Sequence, residues 1–477
     1  MAAGHDLTEA RQQGETTRMD GKAYLASLED GRAVYAHGQR VTDLAAHPDF
    51  GPNIERTAAT YDHFEHDPTA REAFFSPASS VEEMRAHAAL HVDSATHTTY
   101  SSLMTLLTAA DRIAEVRPQA AAAVEDYVQK VRKNDWRIAE CITDAKGDRS
   151  KPPAMQEDKD AYLRVVGRRD GGVIIRGAKL HISLAASSHE LMVIPTKAMK
   201  PGEEDYAIAC AVPVNAPGVS IINVQNAAPP DGADPRDFPF AFQRAVPQGF
   251  VIFDDVFVPA ERIFLDGEVK QAATFAHSLG LWVRTSSMIS MCDGFDVMVG
   301  LAQLIAEANG LERVEHVKIK ISEMVIHATL LRASLEASMM HAAKLESGVL
   351  APSEIYTNAG KYHGAANYML MVRHLLDIAG GSAITAPSMR DLENADIGHL
   401  VRKYMGTKQS IDGAYRTRLF HAVHDLTISA QGGARYAGLL LSGGGLYAQN
   451  IVTRMRYDMD RAKQMAFNAM GWSPDSE

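Results

Sequence analysis

The 477-residue chain is 46% hydrophobic and 22% charged, with 35 Gly and 20 Pro, the make-up of a folded globular protein and not of a disordered or fibrous one. Its 48 Lys and Arg stand against 59 Asp and Glu, a formal charge of −11, which argues against a nonspecific polyanion binder and gives no ground for a nucleic-acid partner. At roughly 100–200 residues per domain, the length predicts about two to four structural units.

The N-terminus is polar and lacks the apolar stretch of a signal peptide, so no export is expected. From Val81 to Glu140 the chain is rich in Ala, Leu, Glu and Arg, has no Gly and only Pro118, and reads as helices. At Thr143–Pro153 turn formers cluster and helical periodicity stops, which predicts a domain boundary. Short Val- and Ile-rich runs follow at Tyr162–Val166, Val173–Ile182, Leu191–Thr196, Tyr206–Val214, Val219–Val224 and Phe250–Val258, the spacing of an antiparallel sheet or barrel.

Helical patterning returns after Asp266. Candidates are Ala272–Asn309, Val314–Glu346, Ser353–Gly380, Ile397–Ile411 and Arg454–Met470. In the second, Val314, Val317, Ile321, Met324, Ala328, Leu331 and Leu335 repeat as one buried stripe. The Met residues at helical spacing, among them Met339, Met340, Met369 and Met371, read as core. The apolar stretches around 103–110 and 434–446 are too short or too interrupted to span a membrane. The predicted units are a helical domain over 1–142, a β-barrel over 143–270 and a helical bundle over 271–477, an α+β chain.

Cys141, Cys210 and Cys292 are odd in number and far apart, predicting neither a disulfide framework nor a CxxC metal knuckle, and a reducing cytoplasm as the compartment.

Three segments carry a family resemblance: Thr143-Asp-Ala-Lys-Gly-Asp-Arg-Ser150, Gly172-Val-Ile-Ile-Arg-Gly-Ala-Lys-Leu-His-Ile-Ser183 and Gly380-Gly-Ser-Ala-Ile-Thr-Ala-Pro-Ser-Met-Arg-Asp-Leu392. Together with Asp160–Val166, they resemble the superfamily of 4-hydroxyphenylacetate 3-hydroxylase and 4-hydroxybutyryl-CoA dehydratase. The resemblance runs from about residue 20 to 470 and implies the acyl-CoA dehydrogenase-like fold, a homotetramer and FAD between barrel and bundle. One branch hydroxylates phenols with O2 and FADH2 delivered by a separate reductase. The other dehydrates a hydroxyacyl-CoA with FAD and a [4Fe–4S] cluster. The four cluster-ligand positions fall near Ser102, Leu106, Val283 and Ser290, none of which supplies a thiolate or imidazole, so no iron–sulfur cluster or other metal is expected. The hydroxylase branch is matched with departures too. Its phenol-binding run corresponds to Thr96-His-Thr-Thr-Tyr100, which keeps Tyr and loses Arg, and its substrate-contacting His corresponds to Glu140.

Read from spacing alone, Lys146, Asp148, Arg149 and Ser150 form a solvated charged turn. The resemblance implies instead that this loop, with Thr143 and Ser183, frames the flavin, and that the turn at Gln431, Gly432 and Gly433 reaches the dinucleotide of a neighbouring subunit. Strand alternation places Lys179, His181 and Ser183 on one face. His97 and Tyr100 lie about one helical turn apart and face either one shared space or solvent. Glu140 is either a surface carboxylate or, buried beside a flavin, a proton-transfer group with a raised pKa.

The expected function is an FADH2-dependent, two-component monooxygenase. Its substrate is a small aromatic, free or carried on CoA or a carrier protein, and Glu140, His181, Tyr100 and His97 are the candidate catalytic residues. A cluster-less acyl-CoA dehydratase, isomerase or oxidase is the enzymatic alternative, and a noncatalytic flavin-binding tetramer is the other.

Overall fold

The computed structural model describes residues 18–90, 97–224, 227–408 and 410–472. Among the described residues, six helices come first: α1 (Gly21–Ser27), α2 (Gly51–His66), α3 (Pro68–Phe75), α4 (Val81–Leu90), α5 (His97–Ala114) and α6 (Pro118–Asn134). Their starts are locally encoded. Asp20 accepts the Ala23 N–H at 2.6 Å and Asp67 those of Thr69 and Ala70 at 3.0 Å, while Pro68 and Pro118 occupy first-turn positions whose missing N–H costs nothing.

Among the described residues, ten strands form two sheets. The larger runs β2 (Gln39–Val41), β1 (Val34–Ala36), β8 (Val219–Val224), β9 (Gln248–Pro259), β5 (Gly172–Ser183), β4 (Arg164–Arg169). The smaller runs β10 (Ile263–Asp266), β7 (Ile208–Pro213), β6 (Glu190–Val193), β3 (Ile138–Cys141). The expected barrel is therefore two sheets joined at an isolated bridge between Asp144 and Lys179, and not one closed ring. Three of its strands, β1, β2 and β3, come from before Thr143. Strands of three or four residues carry too little alternation to register against a helical background.

The short helix α7 (Pro239–Arg244) precedes β9. The bundle is built from α8 (Ala272–Asn309), α9 (Glu315–Met340) and α10 (Glu354–Ala379), followed by α11 (Ser382–Thr385), α12 (Met389–Glu393), α13 (Gly398–Met405), α14 (Gly413–Thr427), α15 (Ala430–Leu441), α16 (Leu446–Arg456) and α17 (Met459–Met470). Helix α9 ends at Met340, before the expected Glu346, because a small hairpin pairs Ala343–Lys344 with Leu350–Ala351. The expected last helix is two, broken where Asp458 caps α17 through the Arg461 N–H.

Two hydrophobic cores result. One is shared by the N-terminal helices, both sheets and the start of α8 as far as Trp282; the other takes in α8 from Met288 onward, fills the bundle and reaches Ala78 and Met84 of the N-terminal part. Helix α8 thus belongs to both. Its stretch Val269–Asn309, unlike the shorter runs around 103–110 and 434–446, is long and apolar enough to cross a membrane by length and composition, and half of its most apolar window is buried inside the protein. Helix α10 approaches α8 closely at Gly360, where a Cβ would come within 2.4 Å of Met288 Cε and 2.6 Å of Ser334 Cβ. The methionine expectation needs a correction: Met339 and Met371 are 3% and 0% exposed, whereas Met340 and Met369 are 58% and 48% exposed. Adjacent helical residues point about 100° apart, and residues two apart about 160° apart, so each such pair has one member facing out.

Candidate active site

The site is assembled where α5, β3 and α8 meet. After α6 the chain turns through Asp135 in the left-handed region at φ 53°, fixed by the Tyr61 hydroxyl donating to its carbonyl at 2.6 Å. This turn feeds β3 into parallel pairing with β6 and places Glu140 opposite Met192.

The Glu140 carboxylate accepts a short hydrogen bond from the Ser101 hydroxyl of α5. Burial pushes its pKa up to about 7, against the pull of Ser101. Glu140 is therefore poised to change protonation near neutrality, and Ser101, which carries this contact, was missed from sequence. On either side of Ser101, the buried hydroxyls of Thr98 and Ser102 have no hydrogen-bond partner among the described residues, so α5 presents donors and acceptors available to a ligand.

Tyr100 is buried edge-on between two rings, His87 and Trp282, each with centroids 5.9 Å away. Burial, with a smaller contribution from Glu83, pushes its phenol well above the usual tyrosine range, so it is a neutral hydroxyl. Burial also lowers the His87 imidazole, and Trp282 Nε1 donates to Thr108 at 2.9 Å. Sequence reasoning missed both rings of this sandwich; the only signal for Trp282 was its being one of three tryptophans. His97 opens α5, but its side chain lies outside the described residues.

The 143–150 loop sits beside the end of β5. The Leu180 N–H donates to the Thr143 carbonyl at 2.7 Å. The loop is shaped by buried Gln156, whose Oε1 accepts the Asp148 N–H at 2.9 Å while Nε2 donates to the Asp148 and Lys151 carbonyls at 2.8 and 2.9 Å. Gly147 takes φ 50°, and a Cβ there would lie 2.4 Å from Gln156 Oε1. Asp148 and Ser150 hold one another: the carboxylate accepts the Ser150 N–H and hydroxyl at 3.0 and 2.7 Å, which keeps it below the usual carboxylate range. Lys146 and Arg149 are different. Among the described residues neither makes an ion pair, and Arg149 is exposed. The Lys146 ammonium is lowered by burial and then by Arg149, so two cations share a loop whose one intervening carboxylate, Asp148, is turned to Ser150 and Lys151, an arrangement complementary to a polyanion.

Behind this loop lies a buried ion pair absent from the expectations. Lys179 Nζ meets Asp144 Oδ1 at 2.7 Å with both side chains 2% exposed, and donates to the Ile142 and Ile194 carbonyls at 2.9 Å. The placement of His181 needs correcting accordingly. The β5–β9 register slips between Lys179 and Ile182, with His181 at φ 64°, so Lys179 is buried and His181 exposed; a bulge resets the alternation that would have put them on one face. Ser183 follows the bulge and donates to Gln248 Oε1 at 2.9 Å.

The last expected group lies apart, in the bundle. Gln431 and Gly432 are buried at the start of α15, where Ser429 caps the Gly432 N–H at 3.2 Å. A Cβ at Gly432 would lie 2.6–2.8 Å from the Thr427 backbone, whereas Gly433 faces open space. Close packing on α14 explains the first glycine without a ligand.

The pattern of 4-hydroxyphenylacetate 3-hydroxylase, N-terminal part, matches residues 20–265, and its C-terminal part residues 272–471. A 4-hydroxybutyryl-CoA dehydratase/vinylacetyl-CoA-Delta-isomerase of Clostridium aminobutyricum is 28% identical over 72% of both chains. An FADH(2)-dependent monooxygenase of Burkholderia cepacia is 27% identical over 93% of this chain and 90% of its own. Among solved structures, the oxygen-tolerant 4-hydroxybutyryl-CoA dehydratase of N. maritimus superposes with a TM-score of 0.88 at 26% identity, covering 97% of this chain and 96% of its own. The FAD-bound oxygenase component of 4-hydroxyphenylacetate 3-monooxygenase gives 0.82 at 22% identity over 95% and 98%, a likeness of fold.

Proposed function

The chain belongs to the 4-hydroxyphenylacetate 3-hydroxylase family, and from that premise we propose that it is the oxygenase component of a two-component flavin monooxygenase acting on a small aromatic substrate, free or carried on CoA or a carrier protein. The observation that carries this reading over a dehydratase is the α5–α8 seam. There, at Ser102, Leu106, Val283 and Ser290, where the resemblance would put the dehydratase branch's cluster ligands, no thiolate or imidazole is available, while Cys141 and Cys210 lie in β3 and β7 and Cys292 in the bundle core, all buried. A cluster needs thiolates converging on one point, and these residues do not fit one.

FAD fits better. Lys146 and Arg149 would hold its pyrophosphate and Thr143 and Ser183 the edge of its ring system, with Gln431, Gly432 and Gly433 offered to a neighbouring subunit. When bound and reduced, it supplies the electrons that activate O2. The protein's own work is to exclude water and orient the substrate. The Thr98 and Ser102 hydroxyls, one turn apart on the same side of α5, would hydrogen-bond the substrate and ionised Glu140 would take a proton from its phenol, while Tyr100, held between Trp282 and His87 on the other side of the helix, would close the site against water. His181, exposed at the bulge, borders the loop as a secondary proton carrier, and His97 opens the helix that carries Tyr100.

A separate reductase delivers the reduced flavin. Assembly as a homotetramer would cover Ile319, Ile326 and Leu330 of α9 and Tyr447, Met455 and Met465 of α16–α17, each half exposed or more. Three unpaired thiols suit a reducing cytoplasm.

Turnover with supplied FADH2, a phenol panel and labelled O2 is expected to put the label into product, in protein containing no stoichiometric iron or sulfide. Anaerobic conversion of a hydroxyacyl-CoA, or a cluster after anaerobic purification, would overturn the assignment. For the cofactor, Arg149→Ala is expected to weaken FAD binding by about 1.5–3 kcal/mol, read in a fluorescence titration; unchanged affinity removes Arg149 from the site.

A further inference from the structure

Helices α9 and α10 meet along an outward-facing seam whose polar residues come in opposing pairs. Lys320 meets Asp377. One turn further along α9, Glu323 accepts from His374 Nε2 at 2.6 Å. In both pairs a donor faces an acid. The third pair breaks the rule: His327 Nδ1 faces His363 Nε2 at 3.4 Å, with ring centroids 5.2 Å apart. Two imidazoles present nitrogen to nitrogen with no acid between them.

That distance is long for an N–H···N hydrogen bond, which prefers about 2.7–3.2 Å. It equals the edge of a coordination tetrahedron. Two nitrogens bound at about 2.0–2.1 Å to one zinc-class ion lie about 3.3–3.4 Å apart, and their ring centres about 5 Å apart. The surroundings suit a ligand pair as well. Burial, then the facing His327, lowers the His363 imidazole and favours the neutral form that metals bind. On the far side of the ring, Asn367 Nδ2 donates to the His363 carbonyl at 2.8 Å and packs 3.4 Å from His363 Nδ1, a steric contact that limits rotation of the ring.

We propose that His327 and His363 bind a single divalent d-block cation of the zinc class, clipping α9 to α10 on the outer face of the bundle. Among the described residues no third His, Cys, Asp or Glu converges on the pair, so water fills the remaining positions and the ion exchanges. The site lies in the bundle, and neither imidazole belongs to the Glu140 pocket or the cofactor loop. Its test is therefore independent of the oxygenase reading.

The experiment uses the full-length untagged protein, stripped with a chelator and dialysed, then titrated with Zn2+ alone by calorimetry and with Co2+ by visible absorption. One equivalent per chain is expected at micromolar affinity or tighter, with the intense visible bands of tetrahedral cobalt and a Zn2+-dependent rise in Tm. His327→Ala and His363→Ala are each expected to weaken binding at least tenfold and to abolish the Tm response, while His316→Ala on the same helix leaves both unchanged. Circular dichroism and the metal-free Tm show that each variant is folded, and His327→Gln supplies a second replacement if the alanine variant is not. Absence of binding, retention of wild-type affinity in either variant, or equal loss in His316→Ala would overturn the site.

Discussion

Glu140→Gln is expected to lower kcat/KM by about 10²–10⁴-fold at pH 8, the range of a positioned proton acceptor, and to remove an ionisation near pH 7 from the rate profile. With a pKa of about 7 set by burial, the wild-type group is neutral at pH 6 and ionised at pH 8. The base form accumulates as pH rises, so wild-type kcat/KM climbs through that window. Glutamine keeps the shape and the contact to Ser101 but cannot accept the proton, and its profile is flat there.

A second readout separates catalysis from structure. Because the folded-state pKa is raised above the unfolded value near 4.3, the folded protein holds the proton across pH 4.3–7. The stability from that group is complete below the window and lost as pH rises through 7. Glutamine does not titrate and loses nothing. Unfolding measured from pH 4 to 8 is then expected to show Glu140→Gln gaining on the wild type as pH rises, by on the order of 3 kcal/mol at pH 8. A variant less active yet relatively more stable at high pH is what a desolvated catalytic carboxylate produces. A pH 7 ionisation surviving in the variant would assign it to another group.

How much of this was readable beforehand follows from sequence separation. The bounds of α8 at Ala272 and Asn309 coincide with the expectation because its apolar run is long and ends at Gly310 in the left-handed region. The turn at Lys146–Ser150 was visible because Gly147 and Pro152 are local signals. Three features were hidden because each needs partners far apart in the chain. Ser101 reaches Glu140 across 39 residues and Gln156 folds back on Asp148 across eight; Ser and Gln at such positions look like any surface polar residue. The bulge at His181 depends on how β5 pairs with β9, which no period-two pattern within β5 reveals. The alternation argument failed at the bulge and nowhere before it, since Val173, Ile175, Gly177 and Lys179 are all buried.

Lys179→Met is expected to destabilise the protein by about 3–5 kcal/mol, the cost of leaving one member of a buried ion pair alone. The three donors of the wild-type ammonium are all used, on Asp144 and the Ile142 and Ile194 carbonyls, while the Asp144 carboxylate also accepts the Leu163 N–H at 3.0 Å and the Thr196 hydroxyl. Methionine fills the stem's volume but strands a carboxylate where each side chain is 2% exposed, and the Ile194 carbonyl loses the ammonium donor while Ile142 keeps only the Thr196 hydroxyl. Asp144→Asn placed on top of Lys179→Met removes the stranded charge and is expected to recover at least about 1 kcal/mol, a non-additivity that identifies the pair as one unit. Urea unfolding of the three variants measures this directly; additive losses would mean that the two side chains act separately. The consequence extends to the cofactor loop. The Asp144–Lys179 bridge is where the loop's sheet meets β5, and the Thr143 carbonyl is tied to Leu180 next door. Loosening it frees Lys146 and Arg149 from their shared position, so Lys179→Met is expected to weaken FAD binding although Lys179 itself is sealed from any ligand. The same substitution in an Arg149→Ala background then has less affinity left to remove, and the two effects on binding sum to less than their separate values.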